Sequence, residues 1–158
     1  MKILYGGINS QTVTERLTEP SGAMGAIQRI MANDVSCQHV TPDFARVLSK
    51  RLLFPQIEKD VVPGLSPAND LKIRKAIVHL RSHLLDRHEP IDHPEVERTF
   101  KLFSAVVTEA KKRKDIDKRE SYFCGRIDGK RVQDPHYTMR GWRAVVTYLL
   151  RQPEFLYE

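Results

Sequence analysis

The chain has 158 residues, of which 41% are hydrophobic and 29% are charged, and this composition is typical of globular proteins and argues against wholesale disorder. Its apolar runs are too short to cross a bilayer, and its first residues lack the apolar core of a signal peptide. The two cysteines, Cys37 and Cys124, form no disulfide framework. We therefore expect a cytoplasmic protein that folds as one domain over residues 1–158.

The net charge of +6 is concentrated in residues 111–143, which are called the basic segment below. This segment contains 11 Lys and Arg residues against five Asp and Glu, whereas the rest of the chain has 15 of each sign. About one fifth of the chain therefore carries the whole excess of positive charge. Such an asymmetry favours a polyanionic partner over a general effect on solubility.

The N-terminal part of the chain predicts three short elements. Residues 2–5 favour a strand before a Gly-Gly turn, and a helix is expected from Ser10 to about Leu17. A second helix is predicted over about 22–33, and residues 34–40 are interpreted as a connection. The glycine spacings here match neither a P-loop nor a dinucleotide-binding fingerprint, so they indicate turns.

A helix start is predicted at Thr41–Pro42–Asp43. Threonine can cap free amides, proline fits the first turn, and aspartate complements the helix dipole. This helix is expected to run to about Leu53. Its predicted buried residues are Phe44, Val47, Leu48 and Leu52.

Two helices of about 20 residues follow, over about 67–88 and 94–114. Ser66–Pro67 and His93–Pro94 repeat the start signal, and apolar residues recur at helical spacing in both. Because a short loop joins them, we expect an antiparallel pair. The predicted fold is a mainly α bundle of five to six helices built on this pair, with one small β-hairpin.

The hairpin is predicted over residues 121–133, because Asp128–Gly129 suits a tight turn between strands. Alternation along the first strand would turn Phe123, Gly125 and Ile127 towards the helices. It would turn Tyr122, Cys124 and Arg126 outwards. Asp134–Pro135 then forms a turn before a last helix over about 138–152, and the apolar tail at 154–158 is expected to pack on the body.

We interpret the basic segment as a surface for a nucleic acid, DNA or RNA, in a non-enzymatic accessory or regulatory protein without a cofactor. Cations neutralise phosphates, and aromatic rings stack on exposed bases. The alternative is a protein-interaction module, an adaptor, inhibitor or assembly factor, that docks the hairpin on an acidic partner. The candidate binding residues are Lys111, Lys112, Arg113, Lys114, Lys118, Arg119, Tyr122, Arg126, Lys130, Arg131 and Arg140.

Few residue patterns in the sequence support a metal site or a catalytic site. His79 and His83 lie one helical turn apart, which is a zinc-binding geometry, but Lys75 and Arg87 bracket them and disfavour a divalent ion. The same stripe is better interpreted as a second basic face. Cys37 and His39 would need two further zinc ligands, for which Cys124 and His136 are the only attractive residues, and no oxyanion hole marks a Cys–His catalytic pair.

Overall fold

A computed structural model of the chain describes residues 22–120 and 123–157. Within this part the main elements are helices α1 (Gly22–Ala45), α2 (Pro67–Leu85), α3 (Pro94–Lys112) and α4 (Thr138–Leu150). The smaller elements are a 3-10 turn (Leu48–Lys50), strands β1 (Arg126–Ile127) and β2 (Lys130–Arg131), and a single helical turn, α5 (Glu154–Tyr157). The mainly helical class with one small antiparallel sheet is confirmed, with four main helices in place of the predicted five to six. The strand and helix predicted before residue 18 lie outside the described residues.

Helix α1 differs most from the sequence-based prediction. It runs without a break through the predicted connection at 34–40 and through Pro42, and it ends at Ala45. Proline lacks an N–H and so removes one helical hydrogen bond, but only three residues of the helix follow it. The prediction that a new helix starts at Thr41 and reaches Leu53 is therefore wrong. Of the residues expected to be buried there, Phe44 is buried, whereas Val47, Leu48 and Leu52 are exposed.

Asp43 explains why the chain leaves the helix after residue 45. Its buried carboxylate accepts hydrogen bonds from the amides of three residues in the following loop, Leu52 at 2.9 Å, Leu53 at 3.1 Å and Phe54 at 3.0 Å. The carboxylate thus satisfies backbone donors of a loop and not of its own helix. Phe54 is thereby held in the core, where its ring stacks on Phe44 with the centroids 4.3 Å apart.

The starts of α2 and α3 agree with the prediction. Ser66 accepts a hydrogen bond from the amide of Asn69 at 3.1 Å, and His93 accepts one from Glu95 through Nδ1 at 3.2 Å. Proline occupies the first turn in both helices. Their apolar stripes face one core, and Arg74 of α2 bonds to Glu97 of α3 at 2.9 Å.

Helix α4 is the central element, because it contacts α1, α2 and α3. Its Trp142 is fully buried, with ring centroids 4.3 Å from Phe103 and 5.2 Å from Phe54. The predicted last helix is confirmed, and its residues Trp142, Val145, Val146 and Leu149 are buried. The fold was expected to be built on the α2–α3 pair. In the structure this pair packs together with α1 and α4 around one core.

The close approach of α3 to α4 depends on Gly141. A Cβ atom at this position would lie 2.7 Å from Cε2 of Phe103 and 3.0 Å from Cγ2 of Val107. Phe103 and Val107 are themselves buried, so the phenyl ring has little room to move. Gly25 in α1 is the matched contrast, because a Cβ atom there would meet nothing within 4 Å.

We expect the substitution Gly141→Ala to lower the free energy of unfolding by about 2 kcal/mol, because the cost of overpacking exceeds the gain in helix propensity. The control Gly25→Ala should raise it by about 0.5 to 1 kcal/mol, since only the backbone entropy term applies. Urea unfolding followed by circular dichroism measures both. A shift of the same sign in the two variants would contradict the close packing of α3 on α4.

Candidate nucleic-acid interface

The basic segment begins at the end of α3 and returns on itself through the β1–β2 hairpin. Asp128 and Gly129 form the turn with φ of +50° and +75°, which are the positive values that a tight hairpin turn requires. Three backbone bonds extend the pairing beyond the two short strands: Glu120 N–H to Val132 at 2.8 Å, Val132 N–H to Gly125 at 2.6 Å and Asp134 N–H to Lys118 at 2.7 Å. The predicted hairpin is confirmed, and its strands are shorter than expected.

The residues just before β1 do not follow the predicted alternation. Phe123, which was expected to pack on the helices, is 87% exposed. Cys124, which was expected to face outwards, forms a disulfide with Cys37 of α1. Alternation fails because these two residues lie in a turn and not in a strand. The expectation of two separate thiols is also wrong, since the structure joins the cysteines.

Glu120 and Arg143 form an ion pair beneath the hairpin. The Glu120 side chain is completely buried and accepts a hydrogen bond from Nε of Arg143 at 2.9 Å. Arg143 also donates through Nη1 to Sγ of Cys124 at 3.1 Å. Gly125 is required beside this pair, because a Cβ atom there would lie 2.2 Å from Cβ of Glu120.

The Asp117 carboxylate pairs with two arginine side chains of the basic segment. Arg119 and Arg131 reach its carboxylate at 3.0 Å and 2.9 Å. The Arg119 side chain, helped by the Arg119 amide and by Arg131, lowers the pKa of Asp117 well below its usual range. Arg131 donates in addition to the carbonyl of Glu120 at 2.8 Å.

The other predicted arginines also make internal contacts. Arg113 pairs with Asp115 at 3.0 Å, and this hydrogen bond raises the pKa of Arg113 and lowers that of Asp115. Arg126 donates to the carbonyl of Gly129 at 2.9 Å. Arg140 donates to the carbonyls of Asp117 at 2.9 Å and Arg119 at 3.0 Å. The arginines thus fix the path of the backbone.

The lysines behave differently. All five lysines of the segment are exposed, and none has an ion pair with another described residue. They are Lys111, Lys112, Lys114, Lys118 and Lys130. The structure therefore divides the predicted cationic residues into arginines that hold the segment and lysines that extend into solvent. Tyr122, the predicted stacking residue, lies outside the described residues.

The proposed second basic face is a separate feature. Lys75 and His79 line a cavity of about 570 Å³ together with His88 and Glu89, and no residue of the basic segment contributes to it. The rings of His79 and His83 stack at 5.7 Å, and Nε2 of His79 lies 2.9 Å from the carbonyl oxygen of Leu52. Among the described residues no group of three or more His, Cys, Asp or Glu side chains is placed to hold a metal. The zinc site and the Cys–His catalytic pair considered for Cys37 are excluded because its sulfur is in the disulfide.

Asp134 anchors the other end of the segment, at the start of α4. Its buried carboxylate accepts hydrogen bonds from the amides of Met139 and Arg140, each at 3.2 Å. Burial raises the pKa of Asp134, although these hydrogen bonds oppose the shift. Asp117 and Asp134 therefore hold the two sides of one segment with pKa values displaced in opposite directions.

We expect the Asp117 carboxyl to titrate below, and the Asp134 carboxyl above, the ordinary aspartate pKa of 3.8. Because the folded-state pKa of Asp117 is depressed, its stabilising contribution is present above the unfolded-state value and is lost as the pH falls through the folded-state value. The folded-state pKa of Asp134 is instead raised. Its stabilising contribution is therefore present below the unfolded-state pKa and is lost as the pH rises through the folded-state pKa.

Carboxyl ¹³C chemical shifts, recorded from pH 7 downwards, measure both titrations. The variant Asp117→Asn should be destabilised relative to the wild type at pH 7 and should approach it in strong acid. Two carboxyls that titrate together near 3.8 would contradict the described contacts.

The comparisons with known proteins give no family. No protein-family model, no curated protein and no solved structure matches the chain. Of the described helices, none combines the length and the apolar character needed to cross a membrane.

Proposed function

We propose that the chain is a non-enzymatic nucleic-acid-binding protein with an accessory or regulatory role, and that its basic segment contacts the phosphate backbone. The observation that carries the proposal is the set of five exposed lysines without ion pairs within residues 111–130. Their charges are available to phosphates, whereas the charges of Arg113, Arg119 and Arg131 are partly neutralised by carboxylates.

The rigidity of the segment supports the same function. The hairpin is tied to α1 by the disulfide and to α4 by the Glu120–Arg143 pair. A surface whose backbone is already ordered loses less conformational entropy when it binds. If all five lysines contact phosphates, the log–log dependence of affinity on salt should have a slope of about −4.5 on duplex DNA.

Phe123 suggests how single strands would be held. Its ring is 87% exposed, and the residue directly precedes Cys124 of the disulfide, in a segment that carries exposed lysines at positions 118 and 130. Exposed aromatic rings beside cations are typical of single-strand binding sites, because every base offers a face for stacking. Phe123 can thus take the stacking role that the sequence assigned to Tyr122.

Exposed apolar residues on α1 favour the second candidate function, docking of the hairpin on an acidic partner protein. Ile30, Met31 and Val35 are 67%, 47% and 36% exposed and lie at neighbouring helical positions. Cores of protein–protein interfaces use apolar anchors with a polar rim. A partner protein would therefore cover this α1 surface as well as the lysines.

The first test replaces Lys111, Lys112, Lys114, Lys118 and Lys130 together by Gln. We expect the salt slope for a 20-base-pair duplex to flatten by about 4 to 5, because about one counterion is released for each phosphate contact. Fluorescence anisotropy over a range of salt concentrations measures it.

The matched control replaces five other exposed lysines by Gln: Lys50, Lys59, Lys72, Lys75 and Lys101. Both variants lose the same net charge, so any general electrostatic effect is equal. An unchanged slope in the first variant, or an equal loss in the control, would reject the basic segment as the site. Absence of binding by the wild type at low salt would reject the function.

A second test uses Phe123→Ala. We expect affinity for a single-stranded oligonucleotide to fall by about 1 to 3 kcal/mol, because one stacked base is lost. Affinity for duplex DNA should change little, since paired bases are not available for stacking. The exposed Phe155 of α5 is the control, because Phe155→Ala removes a similar ring elsewhere. Equal losses on single and double strands would reject the stacking role.

A further inference from the structure

The disulfide between Cys37 and Cys124 borders a cavity. Both residues are partly exposed, and both line a cavity of about 750 Å³ between α1 and α4. Polar side chains that include Asn33, Asp34 and Thr147 line the same cavity. A small thiol that enters this cavity therefore reaches the two cysteines without unfolding of the chain.

The two sulfur atoms have unequal surroundings. Sγ of Cys124 receives a hydrogen bond from Nη1 of Arg143 at 3.1 Å, whereas no described residue donates a hydrogen bond to Sγ of Cys37. The buried carboxylate of Glu120 holds Arg143 through Nε at 2.9 Å. This carboxylate offsets part of the guanidinium charge, but it also fixes the direction in which Nη1 points.

We propose that this disulfide is an exchange site for a small thiol, which forms a mixed disulfide with Cys37 while Cys124 leaves as a thiolate held by Arg143. Exchange is faster when the leaving thiolate is better stabilised, and a hydrogen bond from a cation stabilises it. The asymmetry around the two sulfurs thus selects which one is attacked.

The exchange consists of two balanced steps. In the first, the thiolate of the small thiol attacks Sγ of Cys37, the Cys37–Cys124 bond breaks, and its electron pair passes to Cys124. In the second, another small thiolate attacks the outer sulfur of the mixed disulfide and releases Cys37 as a thiolate. Two small thiols are oxidised to one disulfide, and the protein disulfide is reduced by the same two electrons.

Reduction would change how the basic segment is held, and this consequence rests on the proposed function. The disulfide is the covalent link between α1 and the turn before β1, and the contacts that remain are non-covalent, including the polar contacts of Glu120 and Asp134. Loss of the covalent tie makes the turn at Phe123 and Cys124 more mobile. The exchange site therefore regulates the order of the proposed binding surface.

The experiment treats the native protein with glutathione and traps free thiols with iodoacetamide at short times. Peptide mapping by mass spectrometry then locates each label. We expect glutathione on Cys37 and the alkyl group on Cys124, with a preference of about tenfold, the factor that corresponds to one hydrogen bond to a charged group. Equal labelling, the reverse pattern, or reaction only in denaturant would overturn the proposal.

Arg143→Lys is the test variant, because it keeps a cation beside Glu120 but removes the donor geometry. Its preference for Cys37 should fall to less than about twofold. Arg151→Lys is the matched control, since Arg151 lines the same cavity, and it should behave as the wild type. If Arg143→Lys fails to fold, the wild-type mapping still decides the proposal.

The regulatory consequence has its own measurement. Amide hydrogen exchange of residues 123–131 should be faster in Cys37→Ser/Cys124→Ser than in the oxidised wild type, and duplex affinity should be weaker by about tenfold. Unchanged exchange at these amides would overturn the regulation. Failure of the oxidised wild type to bind any nucleic acid would reject the proposed function but leave the labelling result intact.

Discussion

The buried ion pair between Glu120 and Arg143 joins the base of the hairpin to α4. Between residues 113 and 137 the described chain has four buried residues, and two of them, Glu120 and Asp134, are carboxylic acids. Apolar burial in this segment is confined to a few residues, which include Tyr137 and Val132. A buried pair adds little net stability, because desolvation offsets the attraction, but loss of one partner costs about 3 to 5 kcal/mol. The pair therefore selects one arrangement of hairpin and helix.

This arrangement assigns different tasks to the two types of cation. Arginine offers several donors in a fixed plane, so Arg131 can bond to the Asp117 carboxylate and the Glu120 carbonyl at the same time. Lysine is a single flexible point charge, which suits contact with phosphates in varied positions. In this positive region the arginines hold the backbone conformation, and the lysines supply positive charge that is available to phosphates.

The sequence predicted the elements whose signals are local. Regular apolar spacing and Ser66 or His93 at the helix starts defined α2 and α3, and Asp128–Gly129 defined the hairpin turn. The prediction failed at Thr41–Pro42–Asp43, where a capping pattern was overridden by tertiary bonds from Asp43 to a loop. For the site, the distinction between structural arginines and exposed lysines depends on which carboxylates the fold brings near. A bond between Cys37 and Cys124 likewise has no local signature.

The disulfide turns most of the protein into a covalent ring. Its two cysteines are 87 residues apart, and the ring contains α2 and α3. In the loop-closure account, a ring of this size lowers the entropy of the unfolded chain and so raises its free energy by about 4.5 kcal/mol. A protease that cuts once in the loop between α2 and α3 would leave both pieces joined. The chain can therefore be cut between α2 and α3 without separation of α1 from the basic hairpin.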